Sequence, residues 1–303
     1  MDEKISVVIT TYNRTSELER AINSVLLQTY KNIEIIVVDD NKDENVSKKV
    51  KEIIERLSDK RIKYIKNKEN LGGALSRNEG IDASTGKYIA FLDDDDEYLP
   101  QKIEKQYKCF KNSAEENLAL VYCYCKGVKD GRTIKEYKYN YTGNCLAQVM
   151  KGCIAATSQW MCKKECLNKV GNFTNVPCKQ DSTLLVKLLL EGYSVDRVPE
   201  ILSLYHEENI PRISDNNAKK RIDGVTRLLE LCRKNYDKVS SKDVKEIEYE
   251  FARELIVYYY MLGDKENYKK CLNIINNTNF FGIRTIDIKI NILKKRIKKL
   301  LKK

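Results

Sequence analysis

Histidine, tryptophan and proline are scarce in this chain: one histidine, one tryptophan and four prolines among 303 residues. The single histidine, His206, excludes a histidine-rich zinc cage. The ten cysteines include no Cys-x-x-Cys pair and are irregularly spaced, so neither a zinc ribbon nor a disulfide framework fits. They are expected to serve as small, reduced core residues. Long apolar runs are also missing. The longest are Ile5–Ile9, Ile33–Val38, Tyr88–Leu92 and Leu184–Leu190, the last interrupted by Lys187. All fall far short of the roughly 20 residues that a membrane-spanning helix needs. The opening MDEKISVVITTYN carries no cleavable signal pattern and runs straight into a strand-like segment. A soluble, cytoplasmic protein is expected.

What the chain does have is a 42% hydrophobic content and enough length for one large α/β domain with a smaller appendage. Its net charge of +11 is uneven: Lys289–Lys303 is heavily basic, whereas the N-terminal third carries acidic clusters. A positive balance suits an anionic partner, whether nucleic acid, membrane surface or phosphorylated substrate, and charge alone does not choose among them.

The hydrophobic pattern alternates between the two periods. Ile5–Thr10, Ile33–Val38, Arg61–Lys66 and Tyr88–Leu92 read as strands. Between them, Ser16–Thr29, Asn45–Leu57 and Gly72–Ile81 show helical spacing. This rhythm predicts a Rossmann-like, doubly wound, mostly parallel sheet, which binds ligands at the carboxyl ends of its strands. Thr10–Asn13, Asp39–Asn41 and Asp93–Asp96 each follow a strand directly, so they are expected on one rim. Further on, Pro100 opens a helix, and Leu118–Cys125 and Thr133–Tyr139 read as strands joined by a turn at Asp130-Gly131. Leu184–Leu190 is helical, and after about residue 215 only helical patterns remain. The expected division is a catalytic domain over 1–215 and a helical region over 216–303.

FLDDDDEYLP sets four carboxylates at the end of a buried strand. Like charges this close repel, so the run is expected to cost stability unless a cation sits there. Hard oxygen ligands suit Mg²⁺ or Mn²⁺, and such an ion can bridge a diphosphate. A solvated acidic loop capping the next helix is the bland alternative. Asp40, Thr10, Thr11 and Arg77 could serve a nucleotide from the same rim. They could equally be capping and surface residues.

ISVVITTYNR, IEIIVVDDN, ENLGGALSRNEGI and GKYIAFLDDDDEYLP occur in this order. Together they resemble the nucleotide-binding half of a family 2 glycosyltransferase of the GT-A fold. VPCKQDSTLLVKLLLEGY resembles that family's acceptor-side motif, and YHEENIPRIS the loop after it; the likeness spans about residues 4–215. The resemblance implies an inverting enzyme. It would move a sugar from a nucleotide-diphosphate donor, expected to be a UDP-sugar, to a hydroxyl of a glycan or lipid-linked acceptor with Mn²⁺ or Mg²⁺. It implies that Asp40, Thr10, Thr11, Tyr12 and Arg77 hold the nucleotide. Asp93 and Asp94 would lie at the donor, Asp95 on the metal, with Asp94 and Asp96 shaping the turn. Asp181 would be the general base. His206 would help hold the metal or diphosphate, and Arg212 and Ser214 would close over the phosphates. Asn41-Lys42-Asp43 stands where the family commonly has Gly-Ser-Thr, and Gln180 where Glu is frequent.

A nucleotidyltransferase that makes nucleotide sugars is the rival enzyme. Its Gly-rich basic loop after the first strand is replaced here by Thr10-Thr11-Tyr12-Asn13-Arg14. No nucleic-acid partner is expected, since no aromatic-basic interleaving stands on a recognisable binding fold. Trp160 and Met161 either line an acceptor pocket or belong to the core. Ile286, Ile290, Leu293, Ile297 and Leu300 follow helical spacing among lysines. The tail over 285–303 is thus a basic amphipathic helix that either packs on the protein or lies on an anionic membrane surface.

Overall fold

The computed structural model describes residues 3–207 and 217–278. Those residues divide into two compact units. The first comprises 3–145, 153–175 and 183–207, and the second 146–152, 176–182 and 217–278.

The first unit is built on one sheet. Strands β1 (Ile5–Thr11), β2 (Ile33–Asp39), β3 (Ile62–Lys66) and β4 (Tyr88–Asp93) are all parallel, in the order β3-β2-β1-β4. β2 is buried along its whole length and β1 and β4 along most of theirs, which accounts for their uninterrupted β-branched sequences. Helices α1 (Ser16–Leu26), α2 (Glu44–Leu57) and α3 (Gly73–Ala83) connect them. α1 buries Leu18, Ala21, Ile22 and Val25. α2 is capped by Asp43, whose carboxylate accepts the Asn45 N–H at 2.8 Å. α3 lies so close to β1 that a side chain at Gly80 would overlap Val8.

Beyond β4 antiparallel ladders enter. A short β5 (Asp96–Tyr98) follows β4 after a two-residue turn, and α4 (Lys102–Asn112) follows it. The long β6 (Leu118–Lys129) forms a hairpin with β7 (Arg132–Tyr137), turning at Asp130 and Gly131, both in the left-handed region. β8 (Trp160–Lys163) lies antiparallel to β4 and β6, and β9 (Ser194–His206) runs parallel to β6 and antiparallel to β5. β5, β8 and β9 are the strands that periodicity did not announce. The first two are short, and β9 alternates irregularly between buried and exposed positions. Trp160 and Met161 are fully buried core residues, with the indole N–H donating to the Ala155 carbonyl at 3.1 Å. All ten cysteines are free, and only Cys109 and Cys153 are less than buried.

The second unit is helical, with α5 (Leu146–Lys151), α8 (Ala218–Arg233), α9 (Ser241–Leu262) and α10 (Lys265–Asn277). Between α5 and α8 in the sequence, α6 (Lys164–Lys169) lies in the first unit, and α7 (Gln180–Leu190) has its first turn among second-unit residues. Asn217, Ser240 and Asp264 cap the three long helices through their side chains. Lys151 bridges Asp243 and Glu246, each at 2.6 Å. The tail over 285–303 lies outside the described residues. No helix among those described is long and apolar enough to cross a membrane.

Candidate active site

Parallel pairing aligns the strand ends as expected. Thr10 lies in register with Val38 on one side and Asp93 on the other, and Thr11 faces Asp39. Thr11 is buried, its hydroxyl donating to the Arg14 carbonyl at 3.1 Å, while Thr10 and Tyr12 are half-buried. Asn41 ties two of these ends together. Its Oδ1 accepts the Asn13 N–H at 2.6 Å, and its own N–H and Nδ2 donate to Asp39.

Asp40 is buried and organises the turn ahead of α3. Its Oδ1 accepts from Leu71 N–H at 2.7 Å and Asn67 Nδ2 at 2.9 Å, and its Oδ2 from Gly72 N–H at 2.9 Å. A carboxylate accepts about four hydrogen bonds, so room remains on Oδ2.

The acidic run splits by alternation. Asp94 and Asp96 are buried, and Asp93 and Asp95 are half-exposed. Asp93 ends β4, its N–H donating to Ser158 Oγ at 3.1 Å and its carboxylate paired with Arg77 at 2.5 Å. Arg77 also lies over the Phe173 ring. Asp94 accepts the Tyr12 N–H at 3.1 Å and pairs with Arg14 at 2.7 Å. Burial pushes its carboxyl up to about 6, outweighing Arg14. Asp95 pairs with the other nitrogen of Arg14 at 2.9 Å, and its carbonyl accepts from Arg20 at 2.9 Å. Asp96 Oδ1 is buried with no hydrogen-bond partner, and burial and then the charges of Asp93 and Asp95 hold its carboxyl well above the usual range.

Two guanidinium groups, Arg14 and Arg77, offset part of the run's charge. Sequence reasoning assigned no role to Arg14. Its position directly after Thr10-Thr11-Tyr12-Asn13 was the available signal.

β5 and β9 pair antiparallel, with Asp96 opposite Tyr205 and Glu97 opposite Leu204. Asp95 and His206 each stand one position beyond the Asp96–Tyr205 pair, so the ladder brings the two expected metal ligands to adjoining strand ends. His206 Nε2 lies 3.1 Å from Glu97 Oε2. A carboxylate so placed can orient an imidazole ring. Glu97 is a second residue that sequence reasoning passed over. Among the described residues no three His, Cys, Asp or Glu side chains gather as a metal cage. Asp95 and His206 fit instead an ion of the Mg²⁺ type, which takes few protein ligands and completes its shell with substrate phosphates and water.

Asp181 stands in the first turn of α7, among the residues of the second unit, and accepts the Ser182 N–H at 2.7 Å. The segment before it is held within that unit. Cys178 packs against Gly224, where a side chain would overlap it, and Lys179 pairs with Glu254 at 2.8 Å. Arg212 and Ser214 lie outside the described residues.

The model of the family "Glycosyl transferase family 2" matches residues 6–171, more than half of the chain. The chain belongs to glycosyltransferase family 2. Among its relatives is an uncharacterized glycosyltransferase of Methanocaldococcus jannaschii, 33% identical over 211 residues, 68% of this chain and 71% of the relative. Another is the GalNAc(5)-diNAcBac-PP-undecaprenol beta-1,3-glucosyltransferase of Campylobacter jejuni, 28% identical over 302 residues, 95% of this chain and 90% of the relative. Two solved structures share the GT-A fold with this family member. TarS of S. aureus in complex with UDP-GlcNAc is 16% identical with a TM-score of 0.62, covering 92% of this chain and 93% of that one. The mannosyltransferase PcManGT from Pyrobaculum calidifontis, in complex with GDP-Man and Mn²⁺, is 16% identical with a TM-score of 0.62, covering 100% of this chain and 88% of that one.

Proposed function

We propose that this glycosyltransferase is an inverting, metal-assisted enzyme that moves a sugar from a UDP-sugar to a hydroxyl of a lipid-linked oligosaccharide. The observation that supports the donor half is the β5–β9 register, in which Asp95 and His206 each stand one residue beyond the Asp96–Tyr205 pair, with Asp93 paired to Arg77 and in register with Thr10. The lipid-linked acceptor is supported by the Campylobacter relative, whose name gives an undecaprenol-diphosphate glycan and whose similarity runs nearly end to end.

Thr10, Thr11, Tyr12 and Asp40 hold the nucleoside in this reading, with Oδ2 of Asp40 as the free acceptor for a base N–H. Arg77 turns from Asp93 toward the diphosphate as Asp93 takes the ribose. Asp95 and His206 hold a divalent cation, Mn²⁺ or Mg²⁺, which when bound offsets the charge on the diphosphate leaving group. Asp181 accepts the proton of the acceptor hydroxyl as that oxygen attacks the anomeric carbon opposite the departing diphosphate, so the configuration inverts. General-base help of this kind contributes about 10²–10⁴-fold. Arg212 and Ser214 are assigned to the phosphates on the resemblance of YHEENIPRIS alone. The role of Asp181 rests on the motif VPCKQDSTLLVK rather than on distances. The transfer machinery is assigned to 1–215, with 216–303 as the helical region that brings the enzyme to the cytoplasmic face of a membrane through its basic tail. A nucleotide-sugar screen by thermal shift with Mn²⁺ tests the reading. Stabilisation by a UDP-sugar supports it, and stabilisation by no nucleotide sugar overturns it.

A further inference from the structure

The large apolar side chains left exposed among the described residues are Leu27, Ile134, Tyr139, Tyr141, Tyr260 and Leu262. Ile134, Tyr139 and Tyr141 share one stretch, β7 and the segment after it. Tyr139 and Tyr141 are each 40% exposed, and their rings are nearly parallel, 21° apart with centroids at 6.4 Å.

The backbone beneath them is clamped. The Tyr122 hydroxyl accepts the Tyr141 N–H at 3.0 Å, and its single proton is within reach of the carbonyls of Tyr141 (2.8 Å) and Tyr139 (3.1 Å). Between the two rings, Asn140 turns the other way. Its Oδ1 accepts from the Tyr124 hydroxyl and from Arg197 Nε. The backbone of this stretch and the Asn140 side chain are thus held in place, and two partly exposed aromatic rings stand on a segment with little freedom left to lose on binding. Such a pair suits a ligand with apolar flat faces and hydroxyl edges, which is the chemistry of a pyranose chain. Two cations of this stretch are held locally, Lys138 by Glu136 at 2.5 Å and Lys135 over the Tyr137 ring at 4.7 Å.

Tyr122, which holds the segment of the pair, belongs to β6, a strand that runs beside β9 toward His206. Val128 of β6 is in register with His206, and Tyr122 is six residues back along the same strand, about 20 Å away at roughly 3.3 Å per residue. This span corresponds to several sugar residues.

We propose that Tyr139 and Tyr141 form a stacking subsite for a distal part of the acceptor glycan, a proposal that rests on the transferase reading above. The subsite would make the enzyme favour long acceptors without touching the sugar being transferred.

The test uses the full chain and neutral hexasaccharides, namely maltohexaose, cellohexaose and N-acetylchitohexaose, with their monosaccharides as controls. Binding is followed by ligand-observed NMR for the wild type, Y139A/Y141A and the conservative Y139W/Y141W. The expected result is binding of at least one hexasaccharide but no monosaccharide, weakened about tenfold in the alanine variant and kept in the tryptophan variant. Binding of no hexasaccharide, or equal binding by the alanine variant, overturns the subsite. So does loss of binding to phosphatidylglycerol vesicles in that variant without any glycan effect. The UDP and Mn²⁺ thermal shift, measured on the same samples, reads the donor site separately. Its absence in the wild type counts against the transferase reading, and its persistence in the variants shows that they are folded.

Discussion

Asp95 and His206 stand at adjoining ends of two antiparallel strands, each one step past the pair Asp96–Tyr205. Glu97, two residues after Asp95, holds the imidazole through Nε2. A cation held by two protein ligands depends on the diphosphate for the rest of its shell. Mn²⁺ alone is therefore expected to bind weakly and UDP to tighten it. Asp95→Asn or His206→Ala should weaken Mn²⁺-dependent UDP binding about tenfold or more. Titration calorimetry of UDP with and without Mn²⁺ checks this, and an unchanged Mn²⁺ effect in both variants would remove the two residues from the metal site.

Arg14 is shared between Asp94 and Asp95, so a metal on Asp95 competes with a guanidinium. Arg14→Ala should lower stability by about 1–3 kcal/mol, because the buried Asp94 loses its partner. The same change should strengthen Mn²⁺ binding in the absence of nucleotide. Denaturant melts and Mn²⁺ titration by electron paramagnetic resonance read the two effects. A variant as stable as the wild type would show that the pair contributes nothing.

Asp94 makes stability depend on pH. Its carboxyl goes from an ordinary 3.8 to about 6 in the folded chain. A raised folded value means that this contribution is fully present below about pH 4 and is lost as pH rises through about 6. The stability difference, wild type minus Asp94→Asn, should therefore fall by roughly 3 kcal/mol across that window. A flat difference from pH 4 to 7 would contradict the assigned shift.

Asp181→Asn tests the base directly. The side chain is half-buried, and its Oδ1 accepts a hydrogen bond that an amide oxygen can also accept. The variant should fold and bind UDP as the wild type does, while transfer falls about 10²-fold or more. Undiminished transfer, measured as UDP release in the presence of acceptor, rules out the role.

The parallel half of the sheet was legible in the sequence because β1, β2 and β4 are buried over nearly their whole length, and such strands can only be continuous apolar runs. The same runs located Thr10, Asp40 and Asp93, since each polar cluster begins where the apolar run ends. The alternation of burial along the acidic run appeared only in the structure, since the separate roles expected of Asp93 and Asp95 came from the family resemblance. Arg14 and Glu97 were harder to find. Each looks like an ordinary surface charge until its partner is known, and those partners are 80 and 109 residues away.

The sequence by itself determined the strand-helix rhythm, the rim on which the strand ends gather, and the family, since these depend on local periodicity and on motifs of contiguous residues. Tertiary structure alone decided that Arg14 and Arg77 pair with the acidic run. It alone also put His206 beside Asp95. Both are matters of strand pairing and register between distant segments, and register comes from which faces pack together, not from the spacing of residues along one chain.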